Sequence, residues 1–378
     1  MSVIPTETGV LVIGGGPAGL AAAIAARRKG LSALVVDRDR PPLDKACGEG
    51  LLPAGVAALQ RLGVSLSAIH AAPFRGIRFL DRKSRVHADF PTGSALGIQR
   101  AELHRSLVSA AKNADVALWW SARLDGFTPK GAYIAGRLVR AQWIIGADGQ
   151  SSVVRRLTNL DACRKNTRRF GHRRRYRVTR WSDYTEVYCG NRFQVFVTPT
   201  GADEVCVVVL SRDARLRIEQ ALEDLPELAR RMRGAIATST GRGAVTASCK
   251  LKSVQRGRFA LVGDASGSVD ALAGAGLSLA FQQAIVLAEA LACGDLRRYQ
   301  AAHRRLMRRP RLMARLMLAA CRNESARFEI LRMLAACPSV FSWLMRIHAG
   351  AEHGFAAGVR AGESSEIAAG LPQGILIT

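Results

Sequence analysis

A short aliphatic strand that runs straight into closely spaced glycines, Val10-Leu-Val-Ile-Gly14-Gly-Gly16-Pro17-Ala18-Gly19, constrains this chain more than any other feature. The glycines have G-x-G-x-x-G spacing, and an Ala-rich helical stretch follows at once. Each glycine has its own task. Gly14 permits the tight turn, Gly16 lets the backbone approach a pyrophosphate, and Gly19 lets the helix pack closely on the strand. The free N–H groups and positive dipole end of that helix then point at a diphosphate, with Pro17 and Ala18 in the same turn. A second strand, Leu34-Val-Val-Asp37, ends in an acid 18 residues after Gly19, placed to accept hydrogen bonds from a ribose diol. A lone glycine motif is weak evidence, and a glycine-rich turn of an ordinary α/β protein is the plain alternative. Strand, helix, second strand and acid in this order predict a dinucleotide-binding unit.

At 378 residues the chain is long enough for two or three domains, and 48% hydrophobic residues suit a globular protein. The first twenty residues lack a basic n-region, so no signal peptide is expected. The most apolar later stretch, 277–291, carries Gln282, Gln283 and Glu289 and is mostly Ala, which disfavours a membrane span. A soluble or peripheral, cytoplasmic protein is the expectation. The eight cysteines, at 47, 163, 189, 206, 249, 293, 321 and 337, form no C-x-x-C. No histidine stands at zinc-partner spacing, so no metal site is expected. Scattered thiols read as reduced, small and mostly buried residues.

Charge is unbalanced, with 55 Lys plus Arg against 30 Asp plus Glu for a formal +25. Between Arg164 and Arg180 lie nine basic residues and no acid, and the stretch from Arg297 to Arg346 adds twelve arginines. Three readings stay open: arginine-rich solvated faces, an anionic membrane surface or substrate, and nucleic acid. No recognised nucleic-acid module accompanies the charge, which disfavours the third. In the tail, Leu306, Met307, Leu312, Met313, Leu316, Met317 and Leu318 are interleaved with Arg304, Arg305, Arg308, Arg309, Arg311 and Arg315. That pattern fits either a helix lying on a membrane or one whose Leu and Met face the protein.

The periodicities predict a strand over 10–13, a helix over 18–29 closed by Gly30, and a strand over 33–37. A loop with Cys47-Gly48-Glu49-Gly50 leads into a helix near 55–62. A hairpin is expected from 76–80 and 86–90, then a helix over 100–112 and strands at 116–120, 133–135 and 142–146. Alternation from 177 to 210 predicts an antiparallel sheet, with a helix over 218–232. From 277 to 347 the pattern is almost wholly helical.

Further motifs narrow the cofactor. Gly97-Ile-Gln-Arg100 places an arginine at a helix start, and Trp143-Ile-Ile-Gly146-Ala-Asp148-Gly149 is a strand ending in an Asp-Gly turn. Arg258-Phe-Ala-Leu-Val-Gly263-Asp264 ends a strand in Gly-Asp, with Gly274-Ala275-Gly276 opening a long helix. Each alone is a common turn or surface feature. Together, in order, they resemble the FAD-dependent oxidoreductases of the aromatic hydroxylase and geranylgeranyl reductase superfamily, over residues 8–295. The resemblance implies that Asp264 holds the ribityl chain beside Gly263. It places Gly274, Ala275 and Gly276 beside the flavin ring and second phosphate. Asp37 matches the adenosine-ribose acid, where the family more often has Glu. Arg100 matches the arginine beside the cofactor, Asp148 with Gly149 the turn shared by flavin and pyridine nucleotide, and Arg38 and Leu124 join the same cofactor set.

The Gly-Asp motif separates branches. Aromatic hydroxylases read G-D-A-A-H-x-x-x-P, whereas Gly267, Val269 and Asp270 match the G-D-A-A-G-x-V-D-P of the reductase branch. Cys47-Gly48 is similar to that branch's cysteine-glycine loop, while Ala271 and Ala275 depart from its Pro and Glu. The tryptophan-rich element of flavin halogenases is absent. The resemblance therefore implies an α/β (α+β) chain with a Rossmann-like FAD-binding domain of glutathione-reductase type, an inserted antiparallel substrate sheet and a helical C-terminus. The expected division is FAD-binding segments at 1–75, 93–160 and 255–295, with a hairpin at 76–92 joining a substrate domain at 161–254 and helices at 296–378. The implied activity is reduction of a carbon–carbon double bond in an apolar, isoprenoid- or polyketide-like substrate by non-covalent FAD with NAD(P)H as reductant. Cys47 is a candidate proton donor, with loop packing as the alternative. Hydroxylation of a phenolic ring and an electron-shuttling flavoprotein are the competing readings.

Overall fold

The computed structural model describes residues 4–66, 69–81, 84–321 and 323–349. Its first sheet is built around five parallel strands in the order Phe259–Leu261, Arg137–Gly146, Glu7–Ile13, Ala33–Asp37 and Ala117–Trp120. The two strands of the glycine fingerprint are direct neighbours, with Val10 opposite Ala33 and Ile13 opposite Val36. These strands are buried on both faces and read as continuous Val, Ile and Leu, as a helix-covered parallel sheet requires. The helices Pro17–Arg27 and Gly276–Ala292 pack on this sheet, and their Ala-rich faces join its core. Leu124–Thr128 and Gly131–Ile134 form an antiparallel extension on strand Arg137–Gly146.

The second sheet has the order Ile236–Ala237, Cys163–Arg177, Glu204–Ser211, Phe193–Pro199, Tyr184–Cys189, Gly76–Leu80 and Arg85–Asp89. Arg242–Leu251 also pairs with Cys163–Arg177. The early hairpin enters this sheet 108 residues ahead of its partner strand, and Gly76–Leu80 runs parallel to Tyr184–Cys189. That pairing departs from a wholly antiparallel sheet, and parallel neighbours are joined by a long connection rather than a tight turn. One face is closed by the short helices Ile218–Glu223 and Pro226–Arg231, over a core containing Val195, Val207, Val209 and Leu228. The expected continuous helix over 218–232 is thus two pieces. Pro226 cannot donate a helical hydrogen bond, and the residue before it, Leu225, is driven out of helical geometry (φ −126°, ψ 70°).

Three short strands, Gly50–Leu51, Ala71–Phe74 and Ala95–Ile98, form a small third sheet. The described residues close with helices Leu296–Ala320, Glu324–Ala336 and Pro338–Ala349; the remainder of the expected helical region, 350–378, lies outside them. Among the described residues no single helix is long and apolar enough to cross a membrane. The reading of the cysteines as free thiols is corrected at Cys249, which is disulfide-bonded; six others among the described residues are free.

Candidate functional site

The motifs meet at the C-terminal ends of the parallel strands, where open α/β sheets bind ligands. Gly14 has φ +112° and donates its N–H to the Val36 carbonyl at 2.8 Å. A Cβ on Gly14 would stand 2.5 Å from the Ala147 backbone, and one on Gly19 only 1.8 Å from the Gly14 carbonyl oxygen. Both absences of a side chain are demanded by the fold itself. Gly16 is different: its φ is −69°, and a Cβ there would meet nothing within 4 Å. Gly149, Gly274 and Gly276 also face open space. Four glycines from three distant motifs therefore border volume that packing does not fill.

Asp264 is exposed just past strand Phe259–Leu261, at the same strand ends. Dense protein around it raises its carboxyl above the ordinary range, and the charges of Arg100 and Lys45 draw it back. Gly263 (φ +62°) packs against helix Pro17–Arg27, where a Cβ would lie 2.6 Å from that of Ala18. Arg100 starts helix Arg100–Asn113, and its buried Nε has no hydrogen-bond partner. Asp148 accepts from the N–H groups of Val153 (2.6 Å) and Val154 (3.1 Å) through Oδ2, leaving buried Oδ1 without a partner. Asp37 accepts from Gly15 N–H through Oδ2 (2.6 Å) and from Asp39 N–H through Oδ1 (2.8 Å). It therefore braces the glycine turn while standing at the ribose position. Leu124 lies two residues past Ala122, whose N–H donates to the Asp37 carbonyl, and is partly buried against the apolar core of the first sheet. Arg38 is the least engaged of the set: it is exposed and pairs with neighbouring Asp39. Ala275 is buried in an apolar cluster beyond the cleft.

Cys47 is half-buried in the loop before Gly50. Its Sγ accepts the Glu49 N–H at 3.4 Å, and its carbonyl accepts the Cys206 thiol at 3.7 Å. Burial pushes the Cys206 thiol well up, so it stays a neutral donor.

Further supporting groups escape sequence reasoning. Glu49 (φ 58°) is buried and accepts from the Arg100 N–H at 3.1 Å and from Arg175 Nη1 at 3.2 Å. Burial raises its carboxyl, against the opposing pull of Arg175, the Arg100 N–H and Arg173. Arg173, fully buried, pairs with Asp44 in the same loop. The basic run of 164–180 is thus partly internal: Arg169, Arg173 and Arg175 alternate onto one sheet face and hold Asp270, Asp44 and Glu49. The side chains of residues 163–167 lie outside the described set. Arg155 links the two Asp-containing turns, donating to the Gln150 carbonyl at 2.8 Å and the Ala265 carbonyl at 3.2 Å. Behind the Gly-Asp turn, Gln283 Oε1 accepts the Gly263 N–H at 2.8 Å, and His303 Nε2 meets Ser266 Oγ at 3.0 Å. Burial lowers the His303 pKa to about 3, so the ring is neutral.

The other half of that sheet face is hydrocarbon. Ile77, Val86, Ala88 and Val187 pack with Leu52, Ala275 and Leu279 from the cleft side and with Leu331, Leu334, Phe341 and Met345 from the C-terminal helices. Among the described residues there is no cluster of His, Cys, Asp and Glu able to hold a metal ion.

Comparison with known proteins places these features in a family. The chain is 34% identical over 167 residues to a menaquinone reductase of Mycolicibacterium smegmatis, covering 40% of each protein. It is 30% identical over 173 residues to a 6-methylpretetramide 4-monooxygenase of Streptomyces rimosus, covering 41% of each. These matches span about two fifths of the length of the curated relatives. Among solved structures, a flavoprotein/dehydrogenase from Cytophaga hutchinsonii superposes with a TM-score of 0.78 at 18% identity, over 91% of this chain and 93% of that one. A geranylgeranyl bacteriochlorophyll reductase-like protein from Thermoplasma acidophilum gives 0.73 at 21%, over 87% and 90%. At such identities the superpositions establish the fold. The family model described as FAD binding domain matches residues 7–306, a span that holds every cleft residue above, and the chain belongs to that family.

Proposed function

We propose that this protein is an FAD-dependent oxidoreductase that uses NAD(P)H as electron source to reduce a carbon–carbon double bond of an apolar, isoprenoid- or polyketide-like substrate. The observation that carries the proposal is the hydrocarbon wall formed by Leu52, Ala275 and Leu279 with Ile77 and Val187, directly beyond Gly274 and Gly276. The cleft fits FAD on its own features. Open space lies above Gly16, Gly274 and Gly276, Asp264 is exposed at the same strand ends, and Arg100 Nε and Asp148 Oδ1 carry unused hydrogen-bonding capacity. Gly16 and the start of helix Pro17–Arg27 would meet the pyrophosphate, Asp37 the adenosine ribose, and Asp264 the ribityl chain. When bound, FAD supplies hydride transfer. The protein's part is to place an apolar chain against that wall and to exclude water there. A proton must reach the second carbon, and we assign it to Cys47 Sγ, fixed by the Glu49 N–H.

Hydroxylation is the second reading, favoured by similarity to the Streptomyces rimosus monooxygenase. The test is anaerobic. Reduced holoprotein mixed with polyprenyl alkenes should return to the oxidised flavin spectrum without oxygen. Reoxidation that occurs with oxygen plus a phenol, and never with an alkene, overturns the proposal.

A further inference from the structure

Half of the large apolar residues exposed among the described residues lie on the three C-terminal helices: Leu312, Leu316, Met333, Val340 and Trp343, each 40–56% exposed. Leu306, Met307 and Met313 turn inward, so packing accounts for part of the tail's apolar pattern and leaves these five residues without a cover among the described residues. Met333, Val340 and Trp343 flank the break between Glu324–Ala336 and Pro338–Ala349, where the two helices bend by 104°. The preceding helix, Leu296–Ala320, holds eight arginines and no acid. Arg304, Arg305, Arg308 and Arg315 on it are exposed. The bent pair itself is close to balanced, with Glu324 and Glu329 against Arg327, Arg332 and Arg346.

We infer that this surface docks on a lipid bilayer bearing anionic headgroups. The bent pair enters the interfacial zone through Trp343, Val340 and Met333, and the exposed arginines meet lipid phosphates. Charge complementarity selects this occupant. A helix with eight cations and no acid repels a second copy of itself, whereas arginine stems lie along acyl chains while their guanidinium groups pair with phosphate. Tryptophan suits the same zone, with an apolar body and a polar N–H. The inner sides of the two bent helices carry Leu331, Leu334, Phe341 and Met345 of the hydrocarbon wall, and Phe341 lies 6.0 Å from Phe79, centroid to centroid. The helices that face outward with apolar residues therefore also separate the cleft's apolar side from solvent. Resting on the proposed apolar substrate, the bilayer would be where that substrate resides.

The experiment is co-sedimentation of the full-length holoprotein with vesicles of phosphatidylcholine alone or mixed with phosphatidylglycerol. Binding should require the anionic lipid and fall as salt rises. Val340→Ser with Trp343→Ser should weaken it about tenfold, equivalent to about 1.4 kcal/mol, with the bound-flavin spectrum unchanged. Arg304→Gln with Arg305→Gln and Arg308→Gln should remove the preference for phosphatidylglycerol. Equal binding to both vesicles, or wild-type binding by the Val340/Trp343 variant, overturns the inference. So does absence of binding together with a dimer that this variant dissociates, which would make the surface a contact between copies. Vesicle binding is read without turnover, so failure of the reductase proposal leaves this result standing and the reverse holds too.

Discussion

Gly16 and Gly19 belong to one motif, yet the structure separates their roles sharply enough to predict opposite failures. Alanine at Gly19 would put its Cβ 1.8 Å from the Gly14 carbonyl oxygen, a backbone atom that no side-chain rotation can relieve. Helix Pro17–Arg27 must then lift from the strand ends, and overpacking of this kind costs about 1–3 kcal/mol or more. Alanine at Gly16 meets no protein atom within 4 Å, and φ −69° with ψ 177° is open to any residue. The apoprotein should keep its stability or gain about 0.4–1 kcal/mol as the unfolded chain loses freedom. The Cβ would instead enter the volume assigned to the pyrophosphate. Loss of one good backbone hydrogen bond to a charged group, at about 1.5–3 kcal/mol, weakens FAD binding by roughly tenfold to a hundredfold. Thermal melts of the two apoproteins and fluorescence titration with FAD read these effects separately. Wild-type FAD affinity in Gly16→Ala, or an apoprotein as destabilised as Gly19→Ala, would refute the assignment of that space to the cofactor.

Asp264→Ala should weaken FAD binding more than Asp37→Ala, because both Asp37 oxygens already accept from protein N–H groups, of Gly15 and Asp39, and have less capacity left for a ribose; a titration giving the reverse order counts against the ribityl role. Gln283→Leu leaves the buried Gly263 N–H unpaired and should cost about 1–3 kcal/mol in apoprotein stability, measured by denaturant unfolding. His303 stays neutral down to about pH 3 when folded, whereas in the unfolded chain it takes up a proton near its ordinary pKa. Its contribution is therefore present above about pH 6.5 and is lost as pH falls from there toward 3, by an amount on the order of a few kcal/mol. His303→Gln should flatten the acid slope of stability over that range, and an unchanged slope rejects the buried neutral ring. Cys47→Ala should slow substrate turnover with FAD affinity unchanged, whereas equal turnover would leave Cys47 a packing residue.

The cofactor half of this site is legible in sequence because its signals are local. Gly14, Gly16 and Gly19 act within one turn, Asp37 ends the adjacent strand, and Asp264 sits beside its own glycine. The supporting half is written in pairs far apart in the chain. Glu49 meets Arg175 across 126 positions, and Arg155 reaches the Ala265 carbonyl across 110. Neither pairing leaves a periodic trace. The arginine run around Arg173 shows the same limit, since composition counts its charges as surface while strand alternation turns a share of them inward. The tail helix is ambiguous in sequence for a different reason: apolar residues occupy more than one of its faces, so spacing alone does not separate inward Met307 from outward Leu312.

The most direct test of the central claim is the mass of the product made by FAD-loaded protein with NADPH and a polyprenyl alkene under argon. The account predicts a product that gains a pair of hydrogen atoms, one of them deuterium when the nicotinamide hydride is deuterated. A product that forms only in air and gains an oxygen atom would contradict it.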